Sequence, residues 1–445
     1  MYMKKAILTF VVGICSLLTG AWAQNFQQQS DLQWVAVPSH QDWCYEVGDK
    51  AEIDVMVLVH GQPMPGVEIS YAEGGDCLEP DMEGKVTTGK DGHAVIKVKS
   101  PKRPGFRDTQ MSCQLEGKTY RNHLKVGFDP QEISPYTQMP EDFEQYWQQV
   151  LEEQKLVPMQ VEVSDAPEYS NAKVICQKVK IRTYRKEGDY YMYGYLTKPR
   201  KEGKYPVLVS PPGAGVKYMD PMKTIFYAEK GGIIRLDLEI HGIDPALPAD
   251  IYRDITRAFG DHHANGYLAN GIQSPDTYYM RKVYAGIVRA VDYLVTLPEW
   301  DGRNILVQGN SQGAALSLVL AGLDKRITAI AVAHPALSDM AAYAEKGRTG
   351  GYPHFGNRYK GVTLTKEVQR TLAYYDVVNF ARLIKCPVYM TWGYNDNTCP
   401  PTTSWAVWNT LSCPKEQYLT PINEHWISTE TRYRQMEFLL KQTKK

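Results

Sequence analysis

Ser311 is the residue whose surroundings point most clearly to chemistry. It is the centre of a Gly-Asn-Ser-Gln-Gly segment at 309–313, which follows an apolar run at 305–307 and precedes a helix-forming run at 314–320. Strand, sharp turn and helix in this order make a nucleophile elbow, where small residues flank the serine because the strand and the helix cross closely. We therefore predict Ser311 as a nucleophile. The weaker alternative is a glycine-rich turn of a nucleotide-binding fold.

A serine hydroxyl needs a base that takes its proton, and an acid that orients the base. In folds with this elbow the acid, and then a histidine, follow the serine along the chain. Of the later histidines, His334 ends a predicted strand and His354 lies in a loop rich in glycine and proline, whereas His425 follows the last predicted strand. We predict His425 as the base and Asp396, which also follows a strand, as the acid that accepts its Nδ1 proton. Taken singly, Asp396 could instead form an Asx turn and His425 a helix-cap contact.

Attack by a serine on a carbonyl creates an oxyanion that needs two N–H donors. We predict the backbone amide of Gln312, directly after the nucleophile, and that of Ala214, in a loop of small residues at 211–215. The alternative for this loop is an ordinary turn of glycine and proline. Chemistry of this kind requires no metal and no cofactor, so we predict neither.

The elements that must position these residues form an alternating pattern. Apolar strands are predicted at 207–209, 232–236, 305–307, 327–332, 388–390 and 417–419, with helices at 279–297 and from the last strand to about 441. Buried runs that alternate with helices indicate a mostly parallel sheet covered on both faces. We therefore predict an α/β-hydrolase domain at 130–445, which opens with a proline-marked linker and a helix near Phe143.

Residues 24–129 read as a separate, all-β domain. Apolar and polar residues alternate at 52–57 and at 93–98, turn signals separate these runs, and no helical pattern is present. Short strands with frequent turns predict a small sandwich of immunoglobulin-like type. Its expected role is a spacer or a lid over the larger domain. Glycan binding through Trp34, Trp43 or Tyr45 is a weaker alternative.

The first 23 residues have the pattern of a secretory signal peptide, with a basic start, an apolar run at 6–18 and an Ala-Trp-Ala site at 21–23. Cleavage after Ala23 would give a secreted or periplasmic protein. No later run reaches about 18 apolar residues, so no membrane span is predicted. Lys plus Arg (50) equals Asp plus Glu (50), which argues against a nucleic-acid partner.

Seven cysteines follow the predicted leader, so at least one thiol stays unpaired. In an oxidising compartment we predict one disulfide among Cys44, Cys77 and Cys113. Cys399 and Cys413 could close a short loop near the predicted acid, or remain buried free thiols.

From about Phe128 to its end the chain resembles the acetyl xylan esterase / cephalosporin-C deacetylase family of carbohydrate esterases. The stretches that carry the resemblance are 140–147, 274–283, 297–301, 309–314 and 392–401. It implies Ser311, Asp396 and His425 as a catalytic triad, with the Gln312 and Ala214 amides as the oxyanion hole. The family often forms a hexameric ring, and a homo-oligomer stays open for this chain because its N-terminal domain is extra.

Two stretches depart from the family pattern. His241, Gly242 and Ile243 stand where the family usually has Arg-Gly-Gln, and residues 212–214 read Pro-Gly-Ala where it often has His-Gly-Tyr. In the family both places lie near the substrate entrance. The departures therefore bear on which acyl ester is accepted.

The resemblance implies removal of acetyl groups from acetylated xylo-oligosaccharides or related plant glycans through an acyl-enzyme. Esters of other small acids and a peptidase of prolyl-oligopeptidase type are the alternative reactions, although the N-terminal region lacks the repeats of that peptidase's propeller. A carbohydrate-binding protein on an inactive hydrolase scaffold would lack a triad residue, and none is missing here.

Overall fold

A computed structural model describes residues 32–185, 188–258, 266–359 and 361–443. The predicted signal peptide at 1–23 lies outside these residues. Among the helices in this part of the chain, none has the length and apolar character needed to cross a bilayer.

Nine strands form the N-terminal β region, residues 32–128. They are Leu32–Pro38 (β1), Cys44–Tyr45 (β2), Ala51–Val59 (β3), Gln62–Pro63 (β4), Glu68–Gly75 (β5), Pro80–Thr87 (β6), His93–Val98 (β7), Gly105–Leu115 (β8) and Lys118–Phe128 (β9). One sheet has the order β1-β3-β4 with β7 also paired to β3, and the other has the order β2-β9-β8-β5-β6. The predicted strands at 52–57 and 93–98 are confirmed, and no helix occurs in described residues 32–129.

The two sheets enclose one apolar core. Alternate residues of β3, which are Ile53, Val55 and Val57, are fully buried there together with Ile96 and Val126. This period of two follows from the pleat, which sends successive side chains to opposite faces.

The remaining strands form one larger sheet of mixed direction. They are Val161–Asp165 (β10), Val174–Arg185 (β11), Asp189–Pro199 (β12), Tyr205–Ser210 (β13), Ile234–Glu239 (β14), Trp300–Asn310 (β15), Ala329–Ala333 (β16), Val388–Trp392 (β17) and Lys415–Leu419 (β18). Their order is β10-β11-β12-β14-β13-β15-β16-β17-β18, antiparallel as far as β14 and parallel from β14 onward. The six strands expected from the sequence are confirmed with shifted ends. The antiparallel strands β10–β12 were not predicted.

The helices of the described chain cover both faces of this sheet. They are Phe143–Lys155 (α1), Phe226–Glu229 (α2), Ala249–Ala258 (α3), Met280–Leu294 (α4), Gln312–Leu323 (α5), Lys366–Tyr375 (α6), Val377–Ala381 (α7), Pro401–Thr410 (α8) and Thr429–Lys441 (α9). Leu208 and Leu306 pack with α2 and α9, whereas Val207, Val209 and Val307 pack with α1, α4 and α5. Burial on both faces explains the continuous apolar runs of the parallel strands.

The predicted disulfide among Cys44, Cys77 and Cys113 is wrong, because every cysteine in the described chain is a free thiol. Cys113 points from β8 into the core between the two smaller sheets, whereas the Cys77 thiol faces Asn397 and the Cys44 thiol lies 3.6 Å from the Tyr394 hydroxyl. The three thiols thus face different neighbours. Cys399 and Cys413 follow the alternative of buried free thiols.

Candidate active site

The segment around Ser311 has the backbone of a sharp turn between a strand and a helix. Strand β15 ends at Asn310, helix α5 begins at Gln312, and Ser311 between them has φ 59° and ψ −124°. A β-carbon on Gly309 would lie 2.1 Å from the carbonyl oxygen of Gly313, so only glycine fits at 309. The predicted order of strand, turn and helix is confirmed.

The structure brings together the three side chains that the sequence predicted as a triad. His425 Nε2 lies 3.0 Å from Ser311 Oγ, and His425 Nδ1 lies 2.7 Å from Asp396 Oδ2. The imidazole is partly exposed, whereas the carboxylate is fully buried. Hydroxyl, imidazole and carboxylate therefore form one continuous hydrogen-bonded line, which is the arrangement that makes a serine nucleophilic.

Asp396 is held as an ionised acceptor. Its second oxygen, Oδ1, accepts hydrogen bonds from the backbone N–H groups of Thr398 (2.7 Å) and Cys399 (2.8 Å). Burial opposes ionisation, but the hydrogen bond to His425 and the charge of that imidazole, together with the Cys399 amide, outweigh it and lower the pKa of Asp396. The carboxylate therefore stays charged at neutral pH and orients the imidazole.

The loops that carry the acid and the base touch directly. Gly393, after β17, lies so close to the carbonyl oxygen of Asn423 that a β-carbon would be 2.0 Å away. The Asn395 side chain donates to the carbonyl oxygen of Ile422 at 3.2 Å. We name residues 393–400 the acid loop and residues 420–428 the histidine loop. Their contact fixes Asp396 and His425 relative to each other.

The two segments predicted to supply oxyanion donors also lie together. A β-carbon on Gly313 would lie 2.5 Å from the carbonyl oxygen of Pro211, so the 211–215 loop rests on the first turn of α5. The Tyr267 hydroxyl donates to Gln312 Oε1 at 2.5 Å and accepts from the backbone N–H of Gly215 at 3.2 Å. Tyr267 thus joins the two segments. The use of the Gln312 and Ala214 amides stays a prediction.

Two further histidines lie close to this centre. The ring of His334 is 4.4 Å from that of His425, measured between centroids. Burial, and then the neighbouring charge of His425, lower the pKa of His334 to about 3, so this ring stays neutral. His354 contacts the acid loop, with its Nε2 3.0 Å from the carbonyl oxygen of Thr398. Sequence reasoning treated His334 as structural and did not place it beside the base.

His334, Asp396 and His425 are also the residue types that bind transition metals, and their ligand atoms lie within 4.8 Å of one another. Both ring nitrogens of His425 are engaged, with Asp396 and with Ser311, so an ion held by all three residues would displace one of these bonds. A bound metal and the hydrogen-bonded line to Ser311 therefore compete for the same atoms.

A cavity of about 380 Å³ opens beside Ser311, and polar side chains line much of it. Arg235 donates to Ser210 Oγ at 2.6 Å and to Gln308 Oε1 at 3.1 Å, while Gln435 donates to Asn310 Oδ1 at 3.1 Å. These groups bond to one another, whereas the exposed side chains of the lining, among them Lys223 and Arg432, offer donors to a hydroxyl-rich molecule.

A neighbouring cavity of about 180 Å³ is lined in part by residues of both stretches that depart from the family pattern. Pro212 and Gly213 line one part of it, and His241 lines another, with its Nδ1 2.8 Å from the Tyr279 hydroxyl. Burial lowers the pKa of His241 to about 3, with the Lys282 charge as a second cause. A neutral imidazole therefore stands where the family usually has a charged guanidinium.

Comparisons with known proteins agree on one family. The model of the acetyl xylan esterase family matches residues 129–442. The acetyl esterase Axe7A of Xylanibacter ruminicola is 50% identical over 443 residues, which are 99% of this chain and 98% of that protein. That relative therefore carries the N-terminal β region as well.

Solved structures of two acetyl xylan esterases are similar to this chain. The enzyme from Paenibacillus sp. R4 is 26% identical with a TM-score of 0.61, over 71% of this chain and 98% of that one. The enzyme from a Thermoanaerobacterium species is 24% identical with a TM-score of 0.58, over the same shares of the two chains. The second likeness, at its lower identity, supports the fold.

Proposed function

We propose that this chain, which belongs to the acetyl xylan esterase family and is a carboxylic ester hydrolase, removes acetyl groups from acetylated xylo-oligosaccharides or related plant glycans. The observation that carries the proposal is the line from Ser311 Oγ through His425 to Asp396, with distances of 3.0 and 2.7 Å. The exposed donors at the adjoining cavity, Lys223 and Arg432, support a sugar as the alcohol part of the ester.

The proposed reaction proceeds through an acyl-enzyme. His425 Nε2 takes the proton of Ser311 as Oγ attacks the acetyl carbonyl, and the Gln312 and Ala214 amides stabilise the oxyanion. The tetrahedral intermediate collapses, and the sugar oxygen leaves with the proton from His425. Water then gives its proton to His425 and attacks the acetyl carbon, which releases acetate and restores the Ser311 hydroxyl.

We also propose the α/β-hydrolase fold for residues 130–443 and an immunoglobulin-like sandwich for the N-terminal β region. The strand order around β15, with the elbow at its carboxyl end, supports the first, and the two small sheets around one core support the second. Export through a signal peptide at 1–23 is part of the same proposal. It predicts an exported protein that begins at Gln24, which N-terminal sequencing would reveal.

A substrate panel tests the reaction. We expect release of acetate from acetylated xylan and from acetylated mono- and disaccharides, with rates that fall as the acyl chain lengthens. Covalent labelling by a fluorophosphonate is expected, because only an activated serine reacts. Faster turnover of dipeptide amides than of acetyl esters would contradict the proposal in favour of a peptidase.

Removing the Tyr267 hydroxyl should slow the reaction more than it weakens binding. Tyr267→Phe leaves Gln312 Oε1 and the Gly215 N–H without their bridge, so the two oxyanion segments lose their common anchor. We expect kcat to fall about tenfold with little change in KM, as is typical of a small misplacement near the reacting atoms.

Tyr278→Phe is the matched control for this prediction. Tyr278 is equally buried, but its hydroxyl donates to the carbonyl oxygen of Leu268 and touches neither oxyanion segment. Steady-state kinetics on one small acetyl ester compare the two variants. An equal loss of kcat in both would refute a specific role of Tyr267.

We expect Trp426 to contribute to the binding of long substrates and not to that of small esters. It follows His425 in the chain and is 50% exposed, so its ring is open to a sugar unit beside the scissile ester. We expect Trp426→Ala to raise KM for acetylated xylan about fivefold, the size of a lost aromatic contact. Turnover of a small acetyl ester should stay within a factor of about two. Leu156→Ala, another exposed apolar residue, is the control.

A further inference from the structure

The N-terminal β region reaches the acid loop through a buried ion pair. Lys125 of β9 and Asp76, just after β5, both have fully buried side chains, and their Nζ and Oδ1 atoms are 2.7 Å apart. Lys125 Nζ also donates to the backbone carbonyl oxygen of Asp396 at 2.7 Å. Its backbone N–H donates to Asn395 Oδ1 at 2.9 Å. One lysine thus holds the predicted acid and the residue before it.

Asp76 binds the chain just after the acid loop, at Thr402. Its Oδ2 accepts from the hydroxyl of Thr402 at 2.8 Å and from the backbone N–H of the same residue at 3.2 Å, in the first turn of α8. The ion pair therefore binds the chain both at Asp396 and at Thr402. The turn whose amides bind the Asp396 carboxylate lies between these two residues.

The same surface also reaches the histidine loop. Asn395, held by Lys125, donates to the carbonyl oxygen of Ile422. His123 of β9 lies 3.7 Å from the carboxylate of Glu424, next to His425. The N-terminal β region therefore contacts both loops whose side chains form the hydrogen-bonded line to Ser311.

A buried ion pair adds little net stability where two surfaces meet, because the cost of desolvating both charges offsets most of their attraction. Burial disfavours the ammonium of Lys125, but the charge of Asp76 outweighs it and keeps the pKa of Lys125 above its usual value. An apolar contact would hold the surfaces together equally well. What the pair adds is direction, since Lys125 Nζ bonds to the carbonyl oxygen of Asp396 and Asp76 Oδ2 bonds to Thr402.

We propose that Lys125 and Asp76 are positioning residues for the reaction, so that the N-terminal β region is an integral part of the active site. This rests on the proposed function, in which Asp396 orients His425. The pair fixes the backbone at 396 and 402, and thereby the distance between the Asp396 carboxylate and the imidazole. The region expected from the sequence to be a spacer or a lid thus supports the catalytic acid.

The test is the Lys125→Met variant of the full chain, assayed on a small acetyl ester. Methionine fills a similar volume but makes neither of the two side-chain hydrogen bonds, to Asp76 and to the Asp396 carbonyl oxygen, whereas its backbone N–H still donates to Asn395. We expect kcat per active site, counted by complete fluorophosphonate labelling, to fall about thirtyfold with KM nearly unchanged. The rate of labelling should fall in parallel, because it depends on the same activated serine.

Lys85→Met is the matched control. Lys85 is also a lysine of the N-terminal β region in an ion pair, with Glu68 at 2.7 Å, but both partners are exposed and lie on β6 and β5. We expect its kcat and KM to equal those of the unmodified protein. A role in folding alone would lower the number of labelled sites and leave kcat per site unchanged, and that result would overturn the proposal.

If Lys125→Met does not fold, a milder variant tests the same proposal. Thr402→Val keeps the shape of the side chain and removes only its hydroxyl bond to Asp76. We expect kcat per labelled site to fall about fivefold with KM unchanged. Unchanged kcat would overturn the proposal, whereas an unmodified protein that no fluorophosphonate labels would overturn the proposed function itself.

Discussion

Replacing Ser311 by alanine should abolish acetyl-ester turnover, with kcat lower by a factor of about 10⁶. The acyl-enzyme cannot form without the Oγ atom, and the remaining residues cannot compensate because His425 Nε2 then has no hydroxyl within reach. Background hydrolysis helped by the oxyanion donors sets the residual rate. Release of acetate and loss of fluorophosphonate labelling measure the effect.

Ser317→Ala is the control for this variant. Ser317 is a buried serine of the same helix, and its hydroxyl donates to the carbonyl oxygen of Gly313 at 2.7 Å. We expect it to keep kcat within a factor of about three. A Ser311→Ala protein that is folded by circular dichroism and keeps full activity would contradict the assignment of Ser311 as the nucleophile.

The elbow could be predicted from the sequence because its determinants are local. Gly309 is required by its contact with Gly313, only four residues later, and the flanking strand and helix are strongly apolar. The positions of Asp396 and His425 could be predicted from chain order, since parallel strands deliver their carboxyl ends to one edge of a sheet. Both therefore follow from short-range patterns and topology.

The supporting residues could not be predicted because their partners are distant in the chain. Tyr267 and Gln312, which are hydrogen-bonded, are 45 residues apart in the chain. Lys125 and Asp396, whose carbonyl oxygen it binds, are 271 residues apart. A lysine in a strand of alternating polar and apolar residues is normally predicted to be exposed. No residue near Lys125 in the sequence indicates that another sheet covers its side chain. A buried tyrosine likewise gives no sign of which hydroxyl partners it will find.

The antiparallel strands β10–β12 and the free thiols of Cys44, Cys77 and Cys113 were missed for different reasons. Strands β11 and β12 mix buried and exposed residues, so they lack the continuous apolar runs that mark the parallel strands. The disulfide prediction rested on three cysteines that fall in one predicted domain of a protein expected in an oxidising compartment. Cys77 instead faces Asn397, and Cys44 faces Tyr394, both in the acid loop.

Asp396→Asn should lower kcat by about 10⁴-fold while leaving the fold intact, and the geometry gives the reason. Oδ1 of Asp396 accepts two backbone N–H groups, from Thr398 and Cys399, so an asparagine must place its oxygen there. Its NH₂ group then points at His425 Nδ1 and donates to it. The imidazole is forced into the tautomer with hydrogen on Nε2, which cannot take the proton of Ser311.

Kinetics on a small acetyl ester test this prediction, with Glu424→Gln as the control. Glu424 is exposed and precedes His425 in the chain, so this change also converts a carboxylate near the site into an amide, but one with no hydrogen bond to the imidazole. We expect the control to keep kcat within a factor of about three. Equal losses in both variants would mean that general charge, not the bond between Asp396 and His425, governs the rate. A histidine forced into the wrong tautomer predicts the large loss in Asp396→Asn alone.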